Sequence, residues 1–233
     1  MSELIDVFNC FAEKIGVEDR KKVHQTGQWH QTFHCWLTKK VDGKIYVLFQ
    51  QRSAIKDDSP NTLDITAAGH LLSGETKEDG IRELNEELGI EIDYDKLKYL
   101  GIHYEIIDVP GFKNSEFQHV YLLEDNRELK DYKLQEEEVA GLIEVEFNDG
   151  VDLFLNKKKE IYCKSAFIEN NKIIEKIITV KKEYFIPRLD NYYIKVFIAA
   201  ERYFEGKDLS SARSSGCMKE EPKGYFLTFL SMM

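Results

Sequence analysis

The stretch Gly69-His-Leu-Leu-Ser-Gly-Glu75-Thr-Lys-Glu-Asp-Gly-Ile-Arg82-Glu83-Leu-Asn-Glu86-Glu87-Leu-Gly89-Ile90 carries more functional information than the rest of the chain. At 3.6 residues per turn its second half reads as a short amphipathic helix. Glu83, Glu86 and Glu87 fall within an arc of about 100°, and Ile81, Leu84 and Leu88 gather on the opposite side. Arg82 borders the acidic arc, and Gly89 sits where a helix stops. Three carboxylates on one face suit a hard divalent cation, which prefers oxygen ligands. Acidic helix faces are more often plain solvated surface. Repulsion between such neighbours costs only about 0.2–0.5 kcal/mol per pair, so the cluster alone does not decide between surface and cage.

The whole string does. It resembles the Nudix box of the Nudix hydrolases, in which a Gly and a Glu precede an Arg-Glu-aliphatic-x-Glu-Glu-x-Gly-aliphatic helix. The matching residues are Gly69, Glu75, Arg82, Glu83, Leu84, Glu86, Glu87, Gly89 and Ile90. Seven fixed residue types would recur by chance on the order of 10⁻⁸ per starting position. One departure stands out. The family places seven residues between the first Glu and the Arg, whereas Thr76 to Ile81 supplies six. The shortfall has to be absorbed in the loop or the first turn, which leaves the role of Glu75 open. Asp79, one turn before Glu83, either adds charge to the acidic face or caps the helix.

Composition agrees with a cytoplasmic enzyme. With 233 residues, 42% of them hydrophobic, the chain can bury one catalytic domain and carry an appendage. A net charge of −10 argues against a long nucleic-acid partner, which calls for a basic stripe. A small phosphorylated substrate stays compatible, because a bound cation supplies the positive charge. Cys10, Cys35, Cys163 and Cys217 are scattered and read as free thiols. The start of the chain lacks the pattern of a signal peptide, and no stretch, the apolar tail Tyr225 to Met233 included, has the length to span a bilayer.

Along the chain, strands are expected at Glu3 to Asn9, Gln31 to Thr38, Lys44 to Gln50, Thr62 to Ala68, Leu97 to Ile107, Phe117 to Leu123 and Val139 to Phe147. Turns are expected around Lys14-Ile-Gly16, at Val41-Asp-Gly43 as a hairpin, and at Asn148-Asp-Gly150. Strands flanking a helix in this irregular order predict an α+β sandwich. The resemblance implies the same: an α/β/α sandwich with a mixed sheet. The catalytic domain is read as residues 1–150. Residues 151–233 are read as a partly helical C-terminal extension packed on it, with one helix over Asn191 to Glu205 and a loop at Ser210 to Gly216 whose Arg213 is a secondary candidate for touching substrate phosphate.

The likeness narrows further. Asp6-Val-Phe-Asn, Lys14-Ile-Gly16, Arg20, Val23-His24, Gly27-Gln-Trp-His30, Gln51-Arg-Ser53 and Leu63-Asp-Ile-Thr-Ala-Ala-Gly-His70 look like the Nudix branch related to type 1 isopentenyl-diphosphate isomerase. That isomerase moves a double bond and needs a Cys just before the box and a Glu in a later strand. Here Thr66-Ala67-Ala68-Gly69 contains no thiol, and Gln118 stands at the Glu position. Neither Ala67 nor Gln118 can move a proton near neutrality. The expectation is therefore a hydrolase cleaving the diphosphate linkage of a nucleoside diphosphate derivative or a similar small diphosphate. The isomerase and a non-catalytic ligand sensor stand as alternatives.

The resemblance implies that Glu83, Glu86 and Glu87, with the Gly69 carbonyl, hold Mg²⁺ (or Mn²⁺), and that the family's dimers are a possibility here. Arg82 is expected to orient Glu83 or Glu86. A further carboxylate is sought among Glu136, Glu137 and Glu138, with Glu137 favoured, and Arg52 at a strand end is the candidate for gripping phosphate. The histidines His24, His30, His34, His70, His103 and His119 lack the spacing of a zinc motif. Trp29, His30 and His34 are read as packed or capping residues ahead of pocket-lining ones.

Overall fold

The computed structural model describes residues 3–56, 58–109, 112–170, 172–188 and 190–209. The expectations for Arg213, for the loop at Ser210 to Gly216 and for the tail lie outside them.

Strand β1 (Leu4–Phe8) and β2 (Lys14–Asp19) lead into α1 (Arg20–Thr26), then β3 (Trp29–Val41), β4 (Lys44–Arg52), β5 (Leu63–Ile65) and β6 (Ala67–His70). The acidic helix is α2 (Arg82–Leu88), followed by β7 (Lys98–Val109), β8 (Phe112–Glu124), β9 (Val139–Glu146) and α3 (Phe147–Phe154). A hairpin of β10 (Glu160–Glu169) and β11 (Lys172–Lys181) precedes α4 (Tyr192–Phe204). The strands form one mixed sheet, parallel between β3 and β8 and antiparallel elsewhere.

The sheet splits at its centre, and the split positions the site. β3 pairs with β4 only from Thr38 to Val41, next to the two-residue turn Asp42-Gly43, whose residues both have positive φ. Beyond that the two strands diverge. β6 takes over as the partner of β3, and β5 as the partner of β4. Thr66, between β5 and β6, bridges the gap: its Oγ1 accepts from Leu37 N at 3.1 Å and donates to Leu48 O. Each diverging strand thereby satisfies a backbone group that would otherwise be buried without a partner.

Alternation along the strands builds two cores. Phe33, Cys35, Leu37, Leu48 and Tyr121 face one side, where Leu84 and Leu88 of α2 close over them. Trp36, Val47, Phe49 and Leu122 face the other, covered by Leu153 of α3 and by Tyr193, Val196 and Phe197 of α4. A sheet between helices is the α/β/α sandwich that was expected.

Two expected turns are corrected. Lys14-Ile-Gly16 begins strand β2. The turn comes earlier, where Asn9 Oδ1 accepts from the backbone nitrogens of Phe11 and Glu13, 2.9 and 3.0 Å away. Asn148-Asp-Gly150 lies inside α3, capped by Glu146, whose side chain accepts from Asp149 N at 3.1 Å. Gly150 serves packing there, since a Cβ would sit 2.2 Å from the Phe197 ring. The segment Asp152 to Lys182, unreadable from pattern, ends α3 and forms the β10–β11 hairpin. That hairpin extends the same sheet through β9, and position 150/151 falls within α3.

Candidate active site

The 3₁₀ turn Asp79–Ile81 leads directly into α2, and the helix stops at Gly89, left-handed at φ 66°. Asp79 Oδ2 accepts from both Thr76 N and Thr76 Oγ1 at 2.8 Å, so its carboxylate is spent on capping.

The three helix glutamates are not equivalent. Glu83 and Glu87 are 8% and 5% exposed, whereas Glu86 is exposed. The Glu83 carboxylate rests on Gly69 of β6, where a Cβ would lie 1.9 Å from its Oε1. Only a residue without a side chain leaves room for it. Glu87 Oε2 accepts from Ala68 N at 3.2 Å and has Gln50 Nε2 at 3.4 Å. Burial pushes the Glu83 carboxyl up to about 7 against the pull of Arg82, and burial with the nearby Glu83 charge raises Glu87 well above the usual range. Glu83 shares the single charge of Arg82 with Glu75 and Glu86, and Glu87 has no ion-pair partner among the described residues, a shortage of positive charge that a bound cation would fill.

Arg82 holds this arrangement together. Its Nε donates to Glu75 at 2.8 Å; one terminal nitrogen reaches Glu83 at 2.6 Å and Glu86 at 2.9 Å; the other reaches His70 O at 2.9 Å and Glu75 at 3.2 Å. Five donors meet five acceptors, leaving none for a ligand. Glu75 is therefore the anchor of Arg82. Its other tie is to Leu72 N at 2.7 Å.

Among the three later glutamates, Glu136 and Glu137 are exposed. Glu138 is half-buried, ion-paired to Lys56, and adds to the negative field on Glu87. Arg52 is engaged by Asp58 at 2.8 Å and faces Asp64 at 3.6 Å, while its Nε is buried with no hydrogen-bond partner among the described residues.

A second cluster escaped the sequence reading. His24 of α1, His30 of β3 and His70 of β6 bring ring nitrogens within 4.8 Å of one another. Nε2 of His24 lies 3.1 Å from Nε2 of His70, and the His30 and His70 rings stack at 5.1 Å. Glu116 of β8 adds a carboxylate, 3.5 Å from His30 Nε2 and 4.0 Å from His70 Nε2. His30 Nδ1 sits 3.0 Å from Gln28 O, so it donates there, and Nε2 is the nitrogen turned to the cluster. Burial lowers the pKa of His24 and, more strongly, of His70. Three imidazoles and one carboxylate form a donor set that could hold a transition metal. The sequence signal was alternation along β3 combined with His70 one residue beyond Gly69; motif spacing within a single helix could not reveal it. His34 lies in the same face, bound to Tyr192 through Nδ1 at 3.2 Å.

Comparison with known proteins agrees with this geometry. The NUDIX domain family matches residues 28–163, more than half of the chain. An uncharacterized Nudix hydrolase of Clostridium acetobutylicum is 38% identical over 195 residues, covering 82% of this chain and 93% of that protein. Nudix hydrolase 3 of Arabidopsis thaliana is 33% identical over 166 residues, 69% of this chain but 21% of that larger protein. The crystal structure of DR0079 from Deinococcus radiodurans, 23% identical, shares the fold with a TM-score of 0.50 over 67% of this chain and 91% of that one. The chain belongs to the Nudix hydrolase family. It is a hydrolase of the pyrophosphate-bond class, in a family that generally uses divalent cations. Among the described residues no helix is long and apolar enough to cross a membrane.

Proposed function

We propose that this chain is a Mg²⁺-dependent diphosphohydrolase acting on a nucleoside diphosphate derivative or a similar small diphosphate, with Mn²⁺ able to substitute. The observation that carries the reading is the pair Glu83 and Glu87, buried against the Ala68-Gly69 backbone, where the one ion-paired arginine, Arg82, is already shared among Glu75, Glu83 and Glu86. Glu83, Glu86, Glu87 and the Gly69 carbonyl are the residues that would hold the cation. When bound, it would neutralise the diphosphate and acidify an attacking water. Arg82, fully engaged, positions Glu83 and Glu86 and leaves phosphate to other groups.

For the further carboxylate we favour Glu138 over Glu137, because Glu138 alone of the three is half-buried and coupled to Glu87. Its role would be to accept the proton of the attacking water. Arg52 would meet phosphate only by loosening from Asp58, and its Nε, without a partner among the described residues, supports that role. The division into a catalytic domain of residues 1–150 and an extension of 151–233, a homodimer and a cytoplasmic setting belong to the same proposal.

The histidine cluster favours kinship with the isopentenyl-diphosphate isomerase branch, because all three histidines fall in the segments that carry that likeness. We take it as a second, transition-metal centre on an isomerase-like body. Gln118 and the absence of a thiol at Ala67-Ala68 speak against isomerase chemistry. Cys35, the β3 partner of Ala67, faces the apolar core with its thiol pKa raised by burial.

The test is phosphate release from a panel of nucleotide sugars, dinucleoside polyphosphates, coenzymes and terpenoid diphosphates, with and without Mg²⁺. Turnover that persists in chelator, or conversion of isopentenyl diphosphate to its dimethylallyl isomer, would refute the proposal.

A further inference from the structure

Gln118 of β8 is fully buried, and its amide has only one workable orientation. Its Nε2 lies 2.6 Å from Glu116 Oε2 and 3.1 Å from Glu105 Oε2. Ionised carboxylates only accept, so the nitrogen end must face them. The carbonyl end then faces His103, whose Nδ1 is 2.7 Å from Gln118 Oε1 and must donate. The other ring nitrogen of His103 lies 3.1 Å from Asp190 Oδ2. Its ring stacks on Tyr192 with centroids 4.4 Å apart. Asp190 is itself fixed, accepting from Tyr192 N at 3.1 Å and pairing with Lys195 at 2.6 Å.

These contacts form one line from the C-terminal segment to the histidine cluster: Asp190, His103, Gln118, Glu116. Its effect falls on Glu116. With Oε2 engaged by Gln118, Oε1 is the oxygen turned toward His30 and His70. A glutamate at position 118 could not do this, because an ionised carboxylate has no hydrogen to donate to Glu116 or Glu105. The glutamine that removes isomerase chemistry is the residue that orients the neighbouring carboxylate.

We propose that His103 and Asp190 are positioning residues that act through Gln118 to hold Glu116 on the histidine centre. The segment beyond the matched domain thereby sets how tightly that centre binds a transition metal. The proposal rests on the histidine cluster being a metal centre, as argued above.

The experiment is titration of the full-length chain with cobalt(II), followed by visible absorbance and calorimetry, alongside thermal melts. His103→Phe keeps the stack on Tyr192 and removes both hydrogen bonds; it is expected to weaken cobalt binding about 10–100-fold, the range for losing an outer-shell partner of a metal ligand. Asp190→Asn keeps an oxygen that accepts from Tyr192 N and is expected to weaken binding in the same direction by a smaller factor. Lys195→Ala, which removes only the outer partner of Asp190, is expected to bind cobalt as the parent does. Parent-like affinity in both His103→Phe and Asp190→Asn overturns the proposal. So does equal weakening by Lys195→Ala, which would mark a general charge effect. His70→Ala tests the underlying centre separately. If it binds cobalt as the parent does, the histidine centre falls and the positioning line falls with it, while the glutamate site is untouched.

Discussion

Two sites share the short strand β6 and differ in nearly every physical respect. Gly69 faces the glutamates of α2, and His70, the next residue, faces the histidines on the opposite side of the sheet. The glutamate site is built from one continuous stretch and relieved by one arginine. The histidine site is assembled from α1, β3, β6 and β8, and its carboxylate is oriented by a buried amide. On one side burial holds acids back from ionising; on the other it keeps imidazoles neutral. The acids would give up their protons as a hard cation such as Mg²⁺ binds, whereas neutral imidazoles already offer nitrogen donors to a softer ion. The lesson is that one strand can serve two ligand chemistries because its faces alternate.

The sharpest way to break this comparison is to remove charge from one side only. Glu87→Gln keeps shape and is expected to lower Mg²⁺-dependent turnover about a hundredfold or more, the scale for losing one buried electrostatic partner of the reaction. Cobalt binding at the histidine centre should stay as in the parent. Steady-state kinetics and a cobalt titration on the same sample check both halves, and a matching loss of cobalt would mean that the two sites are one.

The contrast also explains what could be read before the structure was known. Nine positions of the glutamate site fall within Gly69 to Ile90, so helical periodicity and one motif exposed them together. The sandwich followed from the strand order, and α4 from its apolar spacing. The histidine site depends on pairing partners: β3 must lie between β6 and β8 before His30, His70 and Glu116 can meet. No local pattern encodes that adjacency. Glu75 was unreadable for a different reason. Its role depends on how the loop from Thr76 to Ile81 brings it back to Arg82, which is a matter of loop geometry. Glu137 and Glu138 could not be separated by spacing, since neighbours in an irregular segment differ only in burial.

That last pair gives the second prediction. Glu138→Gln should reduce turnover at least tenfold, in line with the loss of a general base, while Glu137→Gln should leave it within about twofold. The reverse order would return the role to Glu137 and show that the coupling of Glu138 to Glu87 has no part in the reaction.

Gly69→Ala sharpens the comparison by steric means. The new methyl would occupy the place of the Glu83 carboxylate, and forcing it in is expected to cost about 1–3 kcal/mol. Chemical denaturation reads the cost, and activity should fall with it because Glu83 is displaced. A variant as stable and active as the parent would show that Glu83 does not need its seat on β6.

The smallest expected effect is the most diagnostic, because the two sides should answer pH with opposite sign. Glu83, pushed by burial from 4.5 up to about 7, binds more protons folded than unfolded between those values. Its contribution to stability therefore falls as pH rises through that window. His24 and His70 lie below their ordinary 6.5 when folded, so below that pH the unfolded chain binds more protons and their contribution grows as pH rises. The parent curve mixes both, and single variants separate them. In chelator, the melting temperature of Glu83→Gln relative to the parent should climb between pH 5 and 8. That of His70→Gln relative to the parent should decline. The span should be a few degrees, since 1 kcal/mol moves the midpoint by about 2–4 °C in a chain of this size. Parallel curves for the two variants would mean that burial does not set opposite protonation states on the two faces of β6, and the contrast between the sites would reduce to residue type alone.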